Sequence, residues 1–186
     1  MRVLRRCFHF CRAYGLRAIH ILTVGDVCMK KPTWKNYLFW ILLSEAVGFL
    51  SGWLSREATA YFQSNVLQPP LSPPAFLFPI VWGILYALMG IGAARINMSS
   101  PSAQRSRGLN LFILQLAVNF CWSIIFFNFQ AYGFAFFWLM LLLSLVILMF
   151  FSFLRVDKTA GLLQIPYLIW LIFAVYLNFG VWYLNR

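Results

Sequence analysis

The stretch that decides the fold class covers residues 132–154 and reads YGFAFFWLMLLLSLVILMFFSFL. It carries no charged side chain, and beyond its first residue only Ser144 and Ser152 add a hydroxyl. About 20 consecutive apolar residues are enough for a helix to cross a bilayer core about 30 Å thick. An isolated strand is excluded because its backbone groups would stay unpaired in lipid. This stretch therefore predicts a transmembrane helix.

Four further apolar runs lie outside this stretch. Numbered along the chain, the predicted spans are 37–54, 75–96, 109–129, 132–154 and 162–183. The whole chain is 62% hydrophobic and only 10% charged, whereas soluble domains carry about 25% charged residues. We therefore predict an all-α membrane protein, in which residues 29–186 form one bundle of five transmembrane helices in a lipid bilayer.

The net charge of +11 comes from basic residues that lie between and before the apolar runs. This placement excludes a nucleic-acid interface, which needs a basic soluble face. Basic loops remain on the cytoplasmic side of a membrane. One predicted side holds Lys30, Lys31, Lys35, Arg95, Arg105, Arg107, Arg155 and Lys158, and the other holds Arg56 and Arg186. The bias predicts a multi-pass protein of the cell membrane with a cytoplasmic N-terminus and an external C-terminus.

Residues 1–28 form a basic leader that is poor in acidic residues. It resembles a transit peptide in composition, but a translation start at Met29 is the simpler interpretation. The leader contains Cys7, His9 and Cys11, a weak metal-binding pattern. We predict no metal site in this protein.

Polar side chains recur on one face of the third span, at Gln115, Asn119 and Ser123. Residues four apart share a helix face, so this stripe faces the bundle interior. It either makes interhelical hydrogen bonds or forms the polar wall of a ligand cavity. The fifth span repeats this four-residue spacing with Trp170, Ala174 and Asn178. Two such stripes favour a pocket between the helices.

Glu45 is an acidic residue within the first span, next to small residues such as Gly48. An ionisable group in a membrane helix is a candidate functional residue, so a small-molecule exporter that uses Glu45 is one alternative. The second span carries a ridge of small residues that permits close helix contact, within the bundle or between protomers: Gly83, Ala87, Gly90 and Ala94. No catalytic constellation is visible in the sequence.

The second span follows the segment PPLSPP at residues 69–74. Prolines stiffen an extended segment, and Ser72 is predicted to cap the helix, with Pro73 in its first turn. Pro79 is predicted to kink the helix. Residues 55–71 are predicted to form the longest external loop, a lid over the bundle.

Three motifs stand out within the second, third and fifth spans. Residues 73–90 read PPAFLFPIVWGILYALMG, residues 115–123 read QLAVNFCWS, and residues 165–178 contain IPYLIW and FAVYLN. These motifs resemble the TspO/MBR family, the translocator protein or tryptophan-rich sensory protein family. The order and spacing of the motifs match the family from about residue 30 to residue 186.

The resemblance implies a five-helix bundle, commonly a homodimer, that binds porphyrins and related tetrapyrroles and in some members sterols. Its pocket lies between the helices beneath the first external loop. By position, Trp82 and Trp170 match the tryptophans tied to porphyrin binding and to its light-dependent breakdown. Asn119, Trp122 and Ala174 match other pocket positions.

The resulting candidate site has two parts. The predicted ligand-lining residues are Trp82, Tyr86, Gln115, Asn119, Trp122, Tyr167, Trp170, Ala174 and Asn178. The predicted lid residues are Pro69, Pro73, Pro74 and Phe76. The implied ligand is protoporphyrin IX, with no covalently bound cofactor, and the implied role is a sensor or transporter. The alternative is light-dependent porphyrin breakdown by Trp82 and Trp170.

Three features depart from the family pattern. Phe76 replaces a tryptophan that commonly follows the double proline, and Tyr61 with Phe62 stands where a Trp-Tyr pair is often found. The usual lysines of the first loop are absent, with Gln68 before Pro69. These departures leave Arg56 as the nearest cation for the acidic side chains of a porphyrin.

Overall fold

A computed structural model of the chain describes residues 33–186, so the predictions for the leader, Lys30 and Lys31 lie outside it. The helices are α1 (Trp34–Leu54), α2 (Arg56–Asn65), α3 (Leu77–Met98), α4 (Ala103–Ser123), α5 (Tyr132–Val156), α6 (Lys158–Leu162) and α7 (Ile165–Leu184). Five long helices, α1, α3, α4, α5 and α7, are apolar enough to cross a membrane. The predicted all-α bundle of five spans is confirmed.

The helix ends differ from the predicted span ends because polar residues continue or cap the helices. Span 3 was placed from residue 109, but α4 begins at Ala103, where the Ser102 hydroxyl accepts a hydrogen bond from Arg105 N at 3.1 Å. Span 5 was placed from residue 162, but α7 begins at Ile165, and the short helix α6 precedes it, started by Asp157 Oδ1, which accepts from Ala160 N at 2.9 Å. Such caps satisfy backbone N–H groups that have no partner within the helix.

The five long helices form a closed ring. Helix α1 packs on α3 and α4, α4 packs on α5, and α5 packs on α7. Helices α3 and α7 complete the ring but contact each other along a short stretch only. The central core contains Leu85, Met89, Phe112, Leu116, Leu139, Leu142, Val146, Met149, Tyr167 and Leu171.

The small-residue ridge of α3 brings α1 and α3 together within the chain. A Cβ added at Gly90 would lie 2.6 Å from Ile41 Cα, so only glycine fits against this backbone. One turn away, Asn36 Nδ2 donates to the Ala94 carbonyl at 3.0 Å. A Cβ added at Gly83 would meet nothing within 4 Å. At Gly90 and Ala94 the ridge is therefore a contact between α1 and α3 of the same chain. These two positions no longer support a dimer interface.

One end of the ring, here called the basic end, lies where α3, α5 and α6 meet. Arg95 and Asp157 form an ion pair of 2.8 Å there, and the Asp157 side chain is only 7% exposed. The guanidinium of Arg105 donates to Asn97 O at 2.9 Å, and Asn97 Nδ2 donates to Asn36 Oδ1 at 2.8 Å. These bonds join the start of α1, the end of α3 and the first turn of α4.

The described basic residues separate as the sequence predicts. Those at the basic end are Lys35, Arg95, Arg105, Arg107, Arg155 and Lys158, and those at the opposite end are Arg56 and Arg186. Which end faces the cytoplasm stays a prediction.

The opposite end, here called the covered end, is closed by α2. The predicted loop at residues 55–71 is wrong in its first part, because ten of its residues are the helix Arg56–Asn65. Phe62 of this helix inserts against Phe126 and Phe127, with ring centroids 5.3 and 5.4 Å apart. Both partners lie in a π-helical turn, Ile124–Asn128, that extends α4. This aromatic contact fixes α2 on the bundle.

The proline-rich segment at residues 66–76 lies along the outer half of α7. Asn185 holds Leu67 with two hydrogen bonds, from Leu67 N at 3.1 Å and to Leu67 O at 2.9 Å. The Tyr176 hydroxyl donates to Pro70 O at 2.8 Å. The segment is thus attached to α7 by side chains that satisfy its carbonyl groups.

Three predictions for this segment are wrong. Ser72 does not cap a helix, because its hydroxyl donates to Pro69 O at 2.8 Å. The chain then turns again, with Leu77 N donating to Pro74 O at 2.9 Å, and α3 begins at Leu77, so Pro73 lies outside the helix and not in its first turn. Pro79 therefore lies in the first helical turn, where a missing N–H breaks no helical hydrogen bond. The expected kink has no physical basis.

Candidate functional site

Three of the predicted ligand-lining aromatics meet in the interior between α3 and α7. The ring of Trp82 lies 5.4 Å from that of Tyr86 and 6.2 Å from that of Tyr167. Tyr167 is completely buried and Tyr86 is 6% exposed, while Trp82 is half-buried. We call Trp82, Tyr86 and Tyr167 the inner aromatic cluster.

Amides of α4 bind the hydroxyls of this cluster. Asn119 Nδ2 donates to the Tyr86 hydroxyl at 2.9 Å, and the Tyr167 hydroxyl donates to Gln115 Oε1 at 3.0 Å. Gln115 Nε2 lies 3.7 Å from the sulfur of Met89. The predicted stripe of Gln115 and Asn119 does face the interior. It makes interhelical hydrogen bonds in this structure, and its role as a cavity wall stays a prediction.

Trp122 and Asn178 form a second group nearer the covered end. Trp122 Nε1 donates to Asn178 Oδ1 at 3.3 Å, and Asn178 Nδ2 donates to Tyr132 O at 3.0 Å. The Trp122 ring stacks on Phe126 with centroids 5.1 Å apart. This group connects α4, α5 and α7 directly beneath the part of α2 that carries Phe62.

Trp170 has no ring contact with either group, although it is half-buried and packs against the same central core. Its ring packs edge-on against Phe78 at 6.0 Å. It also lines a hollow of about 360 Å³ together with Val81, Ile84, Leu85, Pro166 and Ile169. Ala174, one turn further along α7, is half-buried against the core. The hollow is almost wholly apolar and opens sideways between α3 and α7.

The predicted lid residues do not reach the inner aromatic cluster as a group. Pro69 is buried, and a Cβ added at Gly180 of α7 would lie 2.6 Å from it. Pro73 is half-buried and Pro74 is exposed. Phe76, which stands where the family often has tryptophan, is 68% exposed. The lid therefore consists of α2 and of residues 66–70, which are attached to α7.

The Glu45 carboxyl is half-buried and has neither a hydrogen bond nor an ion pair to any residue from 33 to 186. Close by, Gly48 lies against the Tyr86 ring, which a Cβ at position 48 would overlap. Within the described residues no group of histidine, cysteine and acidic side chains has the arrangement of a metal site.

The profile of the TspO/MBR family matches residues 40–184. This range includes every candidate site residue named above. The chain belongs to the TspO/MBR family. The family model therefore covers α2, the proline-rich segment and all of the five long helices except residues 34–39 at the start of α1.

Individual relatives extend over similar lengths. The chain is 36% identical over 141 residues to the tryptophan-rich protein TspO of Chlorobaculum tepidum, covering 75% of this chain and 89% of the relative. It is 31% identical over 157 residues to the translocator protein of Ovis aries, covering 83% and 93%. Protein CrtK of Rhodobacter capsulatus is 39% identical over 122 residues, covering 65% and 76%.

Several residues of this TspO/MBR site were not predicted from the sequence. Met89 was missed because one methionine in an apolar helix carries no signal of its own. Tyr132 was taken as the first residue of a span, although its carbonyl accepts from Asn178. Phe62 was noted only as a departure from the family, although it is the residue through which α2 packs on the bundle.

Proposed function

We propose that this TspO/MBR protein binds a tetrapyrrole such as protoporphyrin IX between α3 and α7, as a sensor or transporter. The observation that carries the proposal is the position of the two tryptophans. Trp170 lines the hollow of about 360 Å³ between α3 and α7, and Trp82 of α3 contacts Tyr167 of α7 across the same helix contact. Sites for ligands of this size have volumes of about 300–1,000 Å³.

The chemistry of these residues suits a flat aromatic ligand. Indole and phenol rings stack on aromatic faces in offset or edge-on arrangements, and a porphyrin offers two such faces. The apolar lining of the hollow suits the ring edge, and Asn119 with Gln115 supplies a few hydrogen-bonding groups. A pocket with mostly apolar walls and few polar groups is the common pattern for such sites.

Binding would require the α3–α7 contact to widen, because aromatic rings fill the interior. That contact is the short one in the ring of helices. At the basic end, α3 is fixed to α6 by the Arg95–Asp157 ion pair and by Gly92 against the Ala160 carbonyl. Widening would therefore take place nearer the middle of the membrane, where Trp82 and Trp170 lie.

The relatives' names favour sensing or transport, since they include a translocator protein and a tryptophan-rich sensory protein. We further propose a homodimer in the cell membrane, with the basic end on the cytoplasmic side, as positive loops favour. A sterol is a second ligand class that the apolar hollow would accept.

The proposal is tested by titrating the protein in nanodiscs with protoporphyrin IX in the dark, following the absorption of the porphyrin. Trp82→Phe and Trp170→Phe are expected to weaken binding, because each removes one indole of the site. Trp34→Phe is the matched control, since Trp34 is 69% exposed at the start of α1. Equal effects of all three substitutions, or no saturable binding by the wild type, would contradict the proposal.

The same samples under illumination test the light-dependent alternative. The contact of Trp82 with Tyr86 and Tyr167 favours it, because these rings could exchange electrons with an excited porphyrin beside them. A loss of porphyrin absorption that Trp82→Phe abolishes would support breakdown. A porphyrin absorption spectrum that stays constant under illumination would mean that the protein binds the porphyrin without breaking it down.

A further inference from the structure

Two serine hydroxyls of the covered end are buried without a hydrogen-bond partner. Ser51 is 3% exposed and Ser55 is 1% exposed, and neither Oγ has a partner among residues 33–186. The Tyr132 hydroxyl at the same end is also buried without a partner. A buried donor without a partner bears the full loss of its hydration, and the bilayer core supplies no water to replace it.

Other helical serines of this chain avoid that loss. Ser44 Oγ donates to Trp40 O at 2.9 Å, and Ser144 Oγ donates to Met140 O at 2.9 Å. Serine in a helix commonly bonds the carbonyl four residues before it. The Ser51 hydroxyl makes no such bond, and neither does that of Ser55, which directly follows the last residue of α1. Both hydroxyls are therefore buried donors that residues 33–186 leave without an acceptor.

These hydroxyls lie on the face of α1 that borders the candidate site. Positions 44, 48, 51 and 55 share one helix face by their spacing, and Gly48 on that face contacts the Tyr86 ring. Ser51 and Ser55 follow Gly48 by about one and two turns towards the covered end. Tyr86 belongs to the inner aromatic cluster, and α1 packs beside α3 in the ring. This face of α1 therefore continues the wall of the candidate site from Tyr86 towards the covered end.

The covered end offers these hydroxyls rather than a buried charge. Arg56, the cation nearest to them along the chain, is exposed and pairs with Glu57 at 3.1 Å. Its guanidinium also lies over the Trp53 ring at 5.0 Å. Beneath α2, neutral O–H donors are thus the groups that could receive an oxygen of a ligand.

We propose that Ser51 and Ser55 form a polar subsite beneath α2 that donates hydrogen bonds to a carboxyl group on the ligand edge. This inference rests on the proposed tetrapyrrole function. It assigns a different part of the ligand to each wall of the pocket. The tryptophans contact the ring faces, and the two serines bind the acidic side chain. The subsite makes the protein prefer porphyrins with carboxyl groups over porphyrins with alkyl groups only.

The test compares two porphyrins in dark nanodisc titrations, protoporphyrin IX and one whose side chains are all alkyl. The variants are Ser51→Ala/Ser55→Ala and the control Ser44→Ala, a buried serine on the same helix that has its own acceptor. The double variant is expected to bind protoporphyrin IX about tenfold more weakly, since it loses two hydrogen bonds of ordinary strength. Its affinity for the alkyl porphyrin stays unchanged, and Ser44→Ala changes neither affinity.

The thermal midpoint without ligand gives a second readout. The double variant is expected to keep or raise the midpoint, because the hydroxyls it removes have no partner in the free protein. An equal loss of affinity for both porphyrins would make the serines packing residues and overturn the subsite. Unchanged affinity for protoporphyrin IX would also overturn it, leaving ordered water as their partner. If the wild type bound neither porphyrin, the proposed function itself would fail together with the subsite.

Discussion

Asn119 of α4 and Tyr86 of α3 are joined across the interior by a hydrogen bond of 2.9 Å, from Asn119 Nδ2 to the Tyr86 hydroxyl. Both side chains are buried, at 3% and 6% exposure. The Tyr86 ring also lies against Gly48 of α1. Tyr86 therefore connects α1, α3 and α4. Its hydroxyl fixes the position of the Asn119 amide, which faces the inner aromatic cluster.

Removing this hydroxyl is expected to destabilise the bundle modestly. Tyr86→Phe leaves the Asn119 amide without its acceptor, which costs about 1 kcal/mol where membrane helices meet. The thermal midpoint in detergent should fall accordingly. Adding Asn119→Leu should recover most of the loss, because it removes the unpaired amide. A double variant that is less stable by the sum of both single effects would contradict this pairing.

Gly90 and Gly83 are expected to respond in opposite ways to the same substitution. In Gly90→Ala the new methyl group meets the Ile41 backbone, which cannot move aside as a side chain can. Overpacking of this kind costs about 1–3 kcal/mol. In Gly83→Ala the methyl group meets nothing within 4 Å, and alanine favours the helix by about 1 kcal/mol. Thermal midpoints of both variants check the α1–α3 contact, and equal destabilisation would refute it.

The two roles of Asp157 can be separated by substitution. Asp157→Asn keeps an oxygen that can cap α6 but loses the charge opposite Arg95, and Asp157→Ala loses both. We expect the alanine variant to be less stable than the asparagine variant by about 1 kcal/mol, the usual contribution of a cap. Both should be less stable than the wild type in thermal unfolding. Equal stability of the two variants would mean that the cap contributes nothing.

Asn185 is expected to control access to the covered end. Asn185→Ala removes both hydrogen bonds to Leu67, so the proline-rich segment should separate from α7 more often. A cysteine introduced at Gln68 should then react faster with a water-soluble maleimide. Asn65→Ala is the control, because the Asn65 amide bonds only to Tyr61 and Ser64 of its own helix. Equal labelling rates in the two variants would show that Asn185 does not hold the segment.

The five spans were predictable from the sequence because lipid allows isolated apolar segments no regular structure other than a helix. Helix α2 was not, since its polar sequence REATAYFQSN carries no membrane signal. Its one buried residue, Phe62, packs on Phe126, Phe127 and Tyr132, and these contacts arise only when the bundle has formed. The start of α3 at Leu77 was also not predicted, because the turns before it have no clear sequence signal. Leu71 takes a positive φ of 67°, which proline spacing does not reveal.

The candidate site was predictable in composition but not in arrangement. The stripe of Gln115 and Asn119 indicated an interior face, and both side chains are buried. Their partners Tyr86, Tyr167 and Met89 depend on the order of the helices around the ring, which no local pattern specifies. The same dependence gives Trp82 and Trp170 different neighbours, because Trp82 contacts Tyr86 whereas Trp170 contacts Phe78.

The central claim is that the ligand binds between α3 and α7. It is tested most directly by closing that contact with a reducible cross-link between cysteines at Ile84 and Ile169. Both residues line the hollow and are largely exposed. The background chain has serine in place of Cys7, Cys11, Cys28 and Cys121. The control pair replaces Phe137 and Leu141, four apart on the exposed face of α5.

We predict that the cross-linked Ile84–Ile169 pair loses saturable binding of protoporphyrin IX in the dark, and that reduction of the link restores it. The α5 pair should bind the porphyrin equally well before and after reduction. Full binding by the cross-linked α3–α7 pair would contradict the account, because it would place the ligand away from the α3–α7 contact near which Trp82 and Trp170 lie.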